Sequence, residues 1–161
     1  MLFRSPFIGW DNHLVGHLVG QYFIKAGHKR LAYFGNLKYQ VTEEQLEGFR
    51  EIINKSGIKL EMNKILFGPS NAGDTEKDEI KFSMLKKLFS DQKAPTAIFC
   101  SDDTEAERAF WVANDLGMKV PDDLSIVGFG SINRDGIIRK KLSAVIIDEI
   151  ELGKKAANIL S

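Results

Sequence analysis

One stretch of the chain, residues 94–130 (APTAIFCSDDTEAERAFWVANDLGMKVPDDLSIVGFG), constrains the fold more than any other. Residues 96–100 form a short apolar run typical of a strand buried on both faces. Residues 104–116 repeat apolar side chains at helical spacing, and Gly117 follows where a helix end favours positive φ. A second apolar run occupies residues 124–129. Strand, helix and strand at this spacing form a βαβ unit, which predicts an α/β fold with a doubly wound parallel sheet.

The rest of the chain continues the alternation of strands and helices. The predicted order is β-α-β-α-β-α-β-α-β-β-α, with a polar loop at residues 68–78 and a loop rich in charge and isoleucine at 131–141. Predicted strands and helices beside the central unit occupy, in turn, residues 6–10, 13–26, 31–34, 42–57, 64–67, 81–89, 143–147 and 149–160. Ligands of such sheets bind at the carboxyl ends of the strands, which here are residues 101–103 and 130–131.

Three local features refine the helices. Asp11 or Asn12 is placed to cap the helix at 13–26. Thr42 with Gln45 three residues later fits a capping box at the start of the next helix. The lysines of residues 81–89 are interpreted as one solvated face.

Composition limits the class of protein. The chain has 161 residues, enough for one ordinary domain, and is 43% hydrophobic and 27% charged, as soluble globular proteins are. It has 22 Lys and Arg against 22 Asp and Glu, so no net positive field attracts nucleic acid. These numbers argue against DNA binding by the chain itself.

The apolar runs and the single cysteine indicate a cytoplasmic protein. No run approaches the ~20 residues of a membrane span, and residues 1–12 lack the apolar core and small-residue cleavage site of a secretory signal. Cys100 is the only cysteine, which excludes an internal disulfide, and its position within a strand favours a core residue over a nucleophile.

Several short motifs, taken in order, resemble one known family. Together they closely resemble the effector-binding region of the LacI/GalR family of bacterial transcription repressors. The matching residues span nearly the whole chain: Asp11-Asn12, Gly27-His28-Lys29-Arg30, Glu47-Gly48-Phe49, residues 95–100 before Asp103, Leu116-Gly117, residues 120–129 (VPDDLSIVGF) and residues 151–157 (ELGKKAA).

The resemblance implies a periplasmic-binding-protein-like fold. In this fold two Rossmann-like lobes close on a small-molecule effector, usually a sugar or a nucleobase. A separate helix-turn-helix domain then binds DNA, and family members usually form homodimers through the effector-binding domain. By the same resemblance, residues 1–161 are mainly the second lobe, and the helix-turn-helix, the hinge and most of the first lobe are absent from this chain.

The two ends of the chain would then be crossover or first-lobe segments. These are residues 1–12 and 143–161. Unless they are covered, apolar side chains stay exposed: Ile146, Ile147, Ile150, Ile159 and Leu160. We therefore predict that the two ends pair with each other beside the lobe or exchange with a second copy of the chain.

Four positions correspond to the effector-binding positions that the resemblance implies, and all four depart from the common family pattern. Gln45 stands where family members often have arginine, and Ser70 where they often have an aromatic platform. Asp102 stands in place of an asparagine, and Gly130 in place of the aspartate of a glycine-aromatic-aspartate turn. Without the arginine and the aromatic ring the pocket loses the features best suited to a pyranose, so these four ligand-binding candidates indicate an unusual effector or a pocket that no longer binds a sugar.

Asp102 and Asp103 have two interpretations. Adjacent carboxylates at a strand end could hold Mg²⁺, as in phospho-acceptor receiver domains. We favour the simpler one, in which Asp103 caps the following helix and Asp102 faces the cleft, because residues 34–36 (FGN) supply no further acid.

The remaining polar and aromatic residues give no catalytic or metal site. His13 and His17 lie four apart on one helix face, but no cysteine or third histidine joins them. His28 is expected to close the first helix, and Trp111 to serve in packing or at an interface. No serine lies in a GxSxG turn, and Gly16 and Gly20 lie inside a helix rather than after a strand. We therefore predict no enzyme activity, no metal and no cofactor.

Two alternatives to a regulator remain. A solute-binding receptor of a sugar transporter has the same fold but is exported. A receiver-like, Mg²⁺-dependent α/β domain would use Asp102 and Asp103.

Overall fold

A five-stranded parallel sheet forms the centre of the computed structural model, which describes residues 9–36, 40–69, 73–132 and 135–160. The strands are β1 (Leu31–Gly35), β2 (Ile65–Phe67), β3 (Ala97–Cys100), β4 (Ser125–Ser131) and β5 (Ser143–Ile147). They lie in the order β2-β1-β3-β4-β5, and every neighbouring pair is parallel. The α/β fold with a doubly wound parallel sheet is thus confirmed.

Six α-helices lie around the sheet in the described part of the chain. They are α1 (Asn12–Lys25), α2 (Gln40–Lys55), α3 (Asp74–Phe89), α4 (Asp103–Asp115), α5 (Ile137–Lys141) and α6 (Glu149–Leu160). Asp11 caps α1, since its carboxylate accepts a hydrogen bond from the amide of Leu14 at 2.9 Å. The strand predicted at residues 6–10 lies mostly outside the described residues.

Three differences from the sequence prediction concern helices. The capping box is wrong because α2 begins at Gln40, which places Thr42 within the helix, where the Tyr33 hydroxyl donates to its carbonyl at 2.9 Å. α3 begins at Asp74 rather than residue 81, and Asp74 and Glu76 place negative charge in its first turn, where the helix dipole favours it. The loop predicted at 131–141 contains the short helix α5.

Both faces of the central strands are covered, so β1, β3 and most of β4 are buried as the apolar runs predicted, whereas the edge strands β2 and β5 are only partly buried. The side chains of Ala32 and Phe34 pack towards α3 and α4, whereas those of Leu31 and Tyr33 pack towards α1 and α2. Cys100 is fully buried in the first of these cores, and burial raises the pKa of its thiol well above the ordinary value. The interpretation of Cys100 as a core residue is confirmed.

Helices α1 and α2 meet through two glycines. A Cβ atom added at Gly16 would lie 1.8 Å from the carbonyl oxygen of Gln45, and one added at Gly48 would lie 1.9 Å from that of His13. Real Cβ atoms do not approach so closely, so the two backbones touch only because both positions lack a side chain.

His28 joins three loops at the amino edge of the sheet. Its backbone N–H donates to the carbonyl of Phe23 at 3.0 Å, which closes α1 as expected from the sequence. Its ring nitrogens Nδ1 and Nε2 each lie 3.0 Å from a hydroxyl oxygen, those of Thr96 and Ser125 respectively. His28 therefore holds the starts of β3 and β4 against the end of α1.

This arrangement makes stability depend on pH through His28. Burial lowers the pKa of His28 from its ordinary 6.5, so the unfolded chain takes up a proton at a higher pH than the folded chain. The contribution of His28 to the free energy of unfolding is then fully present above pH 6.5. It decreases as the pH falls from there towards the pKa of His28 in the folded chain. Urea unfolding between pH 8 and pH 5 should show this decrease in the wild type and a smaller one in His28→Gln. Parallel profiles for the two proteins would contradict it.

The carboxyl-terminal segment consists of the edge strand β5 and the helix α6. β5 pairs with β4 in parallel register, Gly130 opposite Ile146. Ile147 packs partly against the core, whereas Ile146, Ile150 and Ile159 are exposed. The predicted pairing or exchange of the chain ends stays a prediction, because residues 1–8 and the side chain of Leu160 lie outside the description. Within the described ranges, no helix combines the length and the apolar character that crossing a bilayer requires.

Candidate functional site

The candidate site lies at the carboxyl edge of the sheet, where β1, β3 and β4 end. β1 and β3 are neighbours, but the chain leaves β1 towards α2 on one face and leaves β3 towards α4 on the other. Such a reversal opens a crevice between the strand ends, the usual ligand site of open α/β sheets. Asn36 and Ser101 are the first residues after these two strands.

A chain of hydrogen bonds joins the two strand ends. The backbone N–H of Asn36 donates to the Ser101 hydroxyl at 2.9 Å, and that hydroxyl donates to Oδ2 of Asp102 at 3.1 Å. Ser101 is buried, whereas Asn36 and Asp102 are half-buried. Ser101 therefore holds the Asn36 backbone and the Asp102 carboxylate in place from the floor of the crevice, and the side chains of Asn36 and Asp102 stay partly exposed.

The roles predicted for the two adjacent aspartates are corrected. Asp102 caps α4, since its Oδ1 accepts from the backbone N–H of Glu105 at 2.9 Å. Its extended backbone, with φ −155° and ψ 172°, is the conformation of an N-cap residue, whereas Asp103 is already helical. The prediction that Asp103 caps the helix is wrong.

Asp103 instead lies against the end of β4. A Cβ atom added at Gly130 would be 1.9 Å from Oδ2 of Asp103, and one added at Gly128 would be 3.1 Å from its Oδ1. The carboxylate of Asp103 thus fills the space that a side chain at position 130 would need. Gly130 itself can offer a ligand only its backbone.

Gln45 is buried beneath the crevice, with 1% of its surface exposed. Its Nε2 donates to the carbonyl of Ser101 and its Oε1 accepts from the Tyr33 hydroxyl, both at 3.4 Å. The structure thus brings Gln45 together with Ser101 and Asp102 and places Gly130 on the neighbouring strand end. Ser70 lies outside the described residues.

A buried ionic network supports the crevice from the side of α3 and α4. Lys81 is 5% exposed, and its Nζ donates to Oδ1 of Asn36 at 2.6 Å and to Oε1 of Glu105 at 2.5 Å. Glu105, which is 1% exposed, also accepts from Arg108 at 3.0 Å, and Arg108 reaches Asp78 at 2.8 Å. The interpretation of the α3 lysines as one solvated face is wrong for Lys81.

The sequence did contain a signal for this network. Lys81 precedes the buried Leu85 and Leu88 by four and seven residues, so it lies on the apolar stripe of its helix. Glu105 precedes the buried Ala109 and Val112 by the same spacings. Opposite charges on the inner stripes of two consecutive helices indicate a buried ion pair.

The other candidate residues lie away from the crevice. His13 Nε2 lies 3.0 Å from a carboxylate oxygen of Glu51, and Trp111 is exposed beside Phe110. Among the described residues, no group of three or more His, Cys, Asp or Glu side chains is placed to hold a metal. A wide cleft of about 510 Å³ lies between α2 and β2, and none of the predicted site residues lines it.

The chemistry of the crevice is that of an open polar surface. The carboxylates of Asp102 and Asp103, the amide of Asn36 and the backbone at Gly130 offer mainly hydrogen-bond acceptors. The cationic Lys81 is buried beneath them and already bonded to Glu105 and Asn36. Such a surface suits a ligand rich in hydroxyl or amino groups rather than an anion.

Two curated relatives of this chain are named as repressors. The HTH-type transcriptional repressor PurR of Actinobacillus pleuropneumoniae serotype 3 (strain JL03) is 32% identical over 146 residues, which are 90% of this chain and 42% of that protein. The ribose operon repressor of Haemophilus influenzae (strain ATCC 51907) is 30% identical over 151 residues, 93% of this chain and 44% of that one. The chain thus spans less than half the length of these two curated relatives.

A solved structure and a family model give the same assignment as these repressors. The crystal structure of a regulatory protein of LacI family from Chloroflexus aggregans superposes with a TM-score of 0.76 and 26% identity, and covers 94% of this chain and 54% of that one. Residues 21–161 match the family model described as a periplasmic binding protein-like domain. The chain therefore belongs to the family of periplasmic binding protein-like domains, in the form that LacI-family regulators carry.

Proposed function

We propose that this chain is the effector-sensing second lobe of a bacterial transcription regulator. A small molecule binds between this lobe and a first lobe, and binding alters how a separate domain of the whole protein binds DNA. The observation that carries the proposal is the polar crevice between β1 and β3. There Asn36, Ser101 and Asp102 are joined by hydrogen bonds, in a fold that the family shares. The repressor names of the curated relatives support a regulator over an exported receptor or an enzyme.

The charge of the crevice limits the class of effector. Asp102 and Asp103 place two half-buried carboxylates beside it, with Oδ1 of Asp103 buried against β4, while the cation behind it is held by Glu105. An anionic ligand would be repelled, because no free positive charge among the described residues of the crevice faces it. We therefore propose a neutral or amine-bearing effector with several hydroxyl groups, bound by Asp102, Asp103 and the backbone of Gly130. Gln45 contributes indirectly by holding Ser101, and Ser70 remains a proposed contact.

The mechanism would be a population shift. An effector that contacts both lobes favours their closed arrangement by its difference in affinity for the closed and open states. In a homodimer, closure of each copy changes the spacing of two DNA-binding domains. We propose that the whole protein acts in this way in the cytoplasm.

The test is a ligand panel measured by thermal shift on the full-length protein with both lobes. A neutral sugar, a nucleoside or an amino sugar is expected to stabilise it by about 2.7 kcal/mol at a hundredfold excess over Kd. Sugar phosphates are expected not to compete with such a ligand for the crevice. If no ligand of any class raised the melting temperature, the sensing role would be contradicted.

A pair of variants tests whether Asp102 contacts the effector. Asp102→Asn keeps an oxygen that can cap α4 but removes the charge, so the unfolding midpoint should change little while effector affinity falls about tenfold. Asp122→Asn, on an exposed loop at the amino edge, removes the same charge away from the crevice and should leave affinity unchanged. Equal affinities for the two variants would exclude Asp102 as a contact.

A further inference from the structure

A basic pocket lies at the amino edge of the sheet, at the opposite end from the crevice. Its volume is about 150 Å³. Cationic side chains dominate its lining: Lys29, Arg30, Lys59, Lys64 and Lys93, with Glu61 as the one acid. Because the chain as a whole carries no net charge, this is a strong local concentration of positive charge.

The topology of the sheet brings these cations together. Lys29 and Arg30 lie between α1 and β1, Lys59 and Lys64 between α2 and β2, and Lys93 between α3 and β3. Every connection from a helix to a parallel strand returns to the amino edge, and β2, β1 and β3 are neighbours there. The pocket is therefore built by three separate loops.

Among the described residues, Lys64 is the one pocket cation in an ion pair, although Lys93 also interacts electrostatically with Asp91. Lys64, 5% exposed, is paired with Asp91 at 3.0 Å, and hydrogen bonds from the Lys93 amide and from Lys64 lower the pKa of Asp91. No carboxylate in the described part of the chain lies within ion-pair distance of Lys29, Lys59 or Lys93. Nε of Arg30 donates to the carbonyl of Ala94 at 2.9 Å, which fixes the guanidinium and leaves its two terminal nitrogens for another partner.

Helix dipoles account for other lysines but not for these. The last turns of α1, α2 and α3 contain Lys25, Lys55, Lys86 and Lys87, where positive charge offsets the carbonyl ends of the helices. The cations of the basic pocket lie beyond those turns, in the loops. The stability of individual helices therefore does not account for the cations that line the basic pocket.

We propose that the basic pocket binds the phosphate group of a small phosphorylated molecule. A fixed guanidinium matches the paired oxygens of phosphate, and lysines add point charges around it. A volume of about 150 Å³ suits one phosphate or pyrophosphate group and leaves the remainder of a larger ligand outside. This site is separate from the crevice, so the proposal does not depend on the proposed effector.

The test uses the 161-residue chain titrated with inorganic phosphate and with pyrophosphate at constant ionic strength. Binding is followed through backbone amide shifts of residues 29–31, 59–64, 93, 94 and 96. The variant Lys59→Gln/Lys93→Gln removes two exposed charges from the pocket. Lys119→Gln/Lys154→Gln removes two exposed charges elsewhere and is the matched control. Urea midpoints of both variants should equal that of the wild type.

The wild type is expected to bind pyrophosphate saturably with Kd below about 1 mM, and phosphate more weakly. The pocket variant should bind more than tenfold more weakly, while the control stays within twofold. Saturation with inorganic phosphate as tightly as with pyrophosphate would mark the free ion as the ligand. Two results would overturn the proposal: shifts that sodium chloride of equal ionic strength reproduces, or an equal loss of affinity in the control.

Discussion

Gly16→Ala is expected to destabilise the protein by about 3 kcal/mol, although alanine is the better helix former by about 1 kcal/mol. The added methyl would lie 1.8 Å from the carbonyl oxygen of Gln45 and 2.7 Å from the amide nitrogen of Phe49. Both are backbone atoms, so no change of rotamer relieves the overlap. Helices α1 and α2 must move apart, and contacts of Val19 and Phe23 with Phe49 and Ile53 are weakened.

Urea unfolding followed by circular dichroism measures this effect, and Gly153→Ala is the matched control. Gly153 lies in α6 with no atom within 4 Å of its added Cβ, so alanine there should be neutral or slightly stabilising. Gly48→Ala should behave like Gly16→Ala, because it closes the same contact from the other side. If Gly16→Ala unfolded at the wild-type midpoint, the close approach of the two backbones would be wrong.

Lys81→Met is expected to cost about 3–5 kcal/mol, the range for removing one partner of a buried ion pair. The loss leaves a carboxylate oxygen of Glu105 without its partner at 2.5 Å, in a residue only 1% exposed. It also removes the donor to Asn36, so the floor of the crevice loosens. A domain of this size should melt roughly 6–20 °C lower.

The double variant Lys81→Met/Glu105→Leu separates charge from packing. It removes the charges of both Lys81 and Glu105, and Arg108 keeps its ion pair with Asp78, so its stability should lie closer to the wild type than that of Lys81→Met. Lys86→Met, at an exposed position of the same helix, should change stability by less than about 0.5 kcal/mol. If the two single substitutions, Lys81→Met and Glu105→Leu, were additive in the double variant, Lys81 and Glu105 would not form a coupled pair.

The sheet was predictable because its strands are short apolar runs separated by helical periods. Residues 96–100 and 124–129 anticipated β3 and β4 within a few residues. The start of α3 was not predictable, because residues 74–79 are polar and follow a glycine, so they carry no apolar stripe of their own. Acidic residues in a first turn and the packing that follows decide that boundary.

The position of the candidate crevice followed from the sequence pattern, but the contacts of its residues did not. The carboxyl ends of β1 and β3 follow from the parallel topology, which the βαβ pattern gives. Which of Asp102 and Asp103 caps α4 depends on a backbone conformation that two identical side chains do not reveal. The local pattern around Gln45 fits a capping box, but contacts with Tyr33 and Ser101, distant in sequence, determine its position.

The end of the chain differs from the rest in its free energy of local opening. β5 has a neighbour on one side only, and none of the α6 side chains that the structure describes is buried. Opening β5 and α6 therefore sacrifices little buried apolar area, whereas opening β1 or β3 disrupts both cores. We therefore expect β5 and α6 to open at a lower free energy than β1 and β3, while the rest of the sheet stays folded.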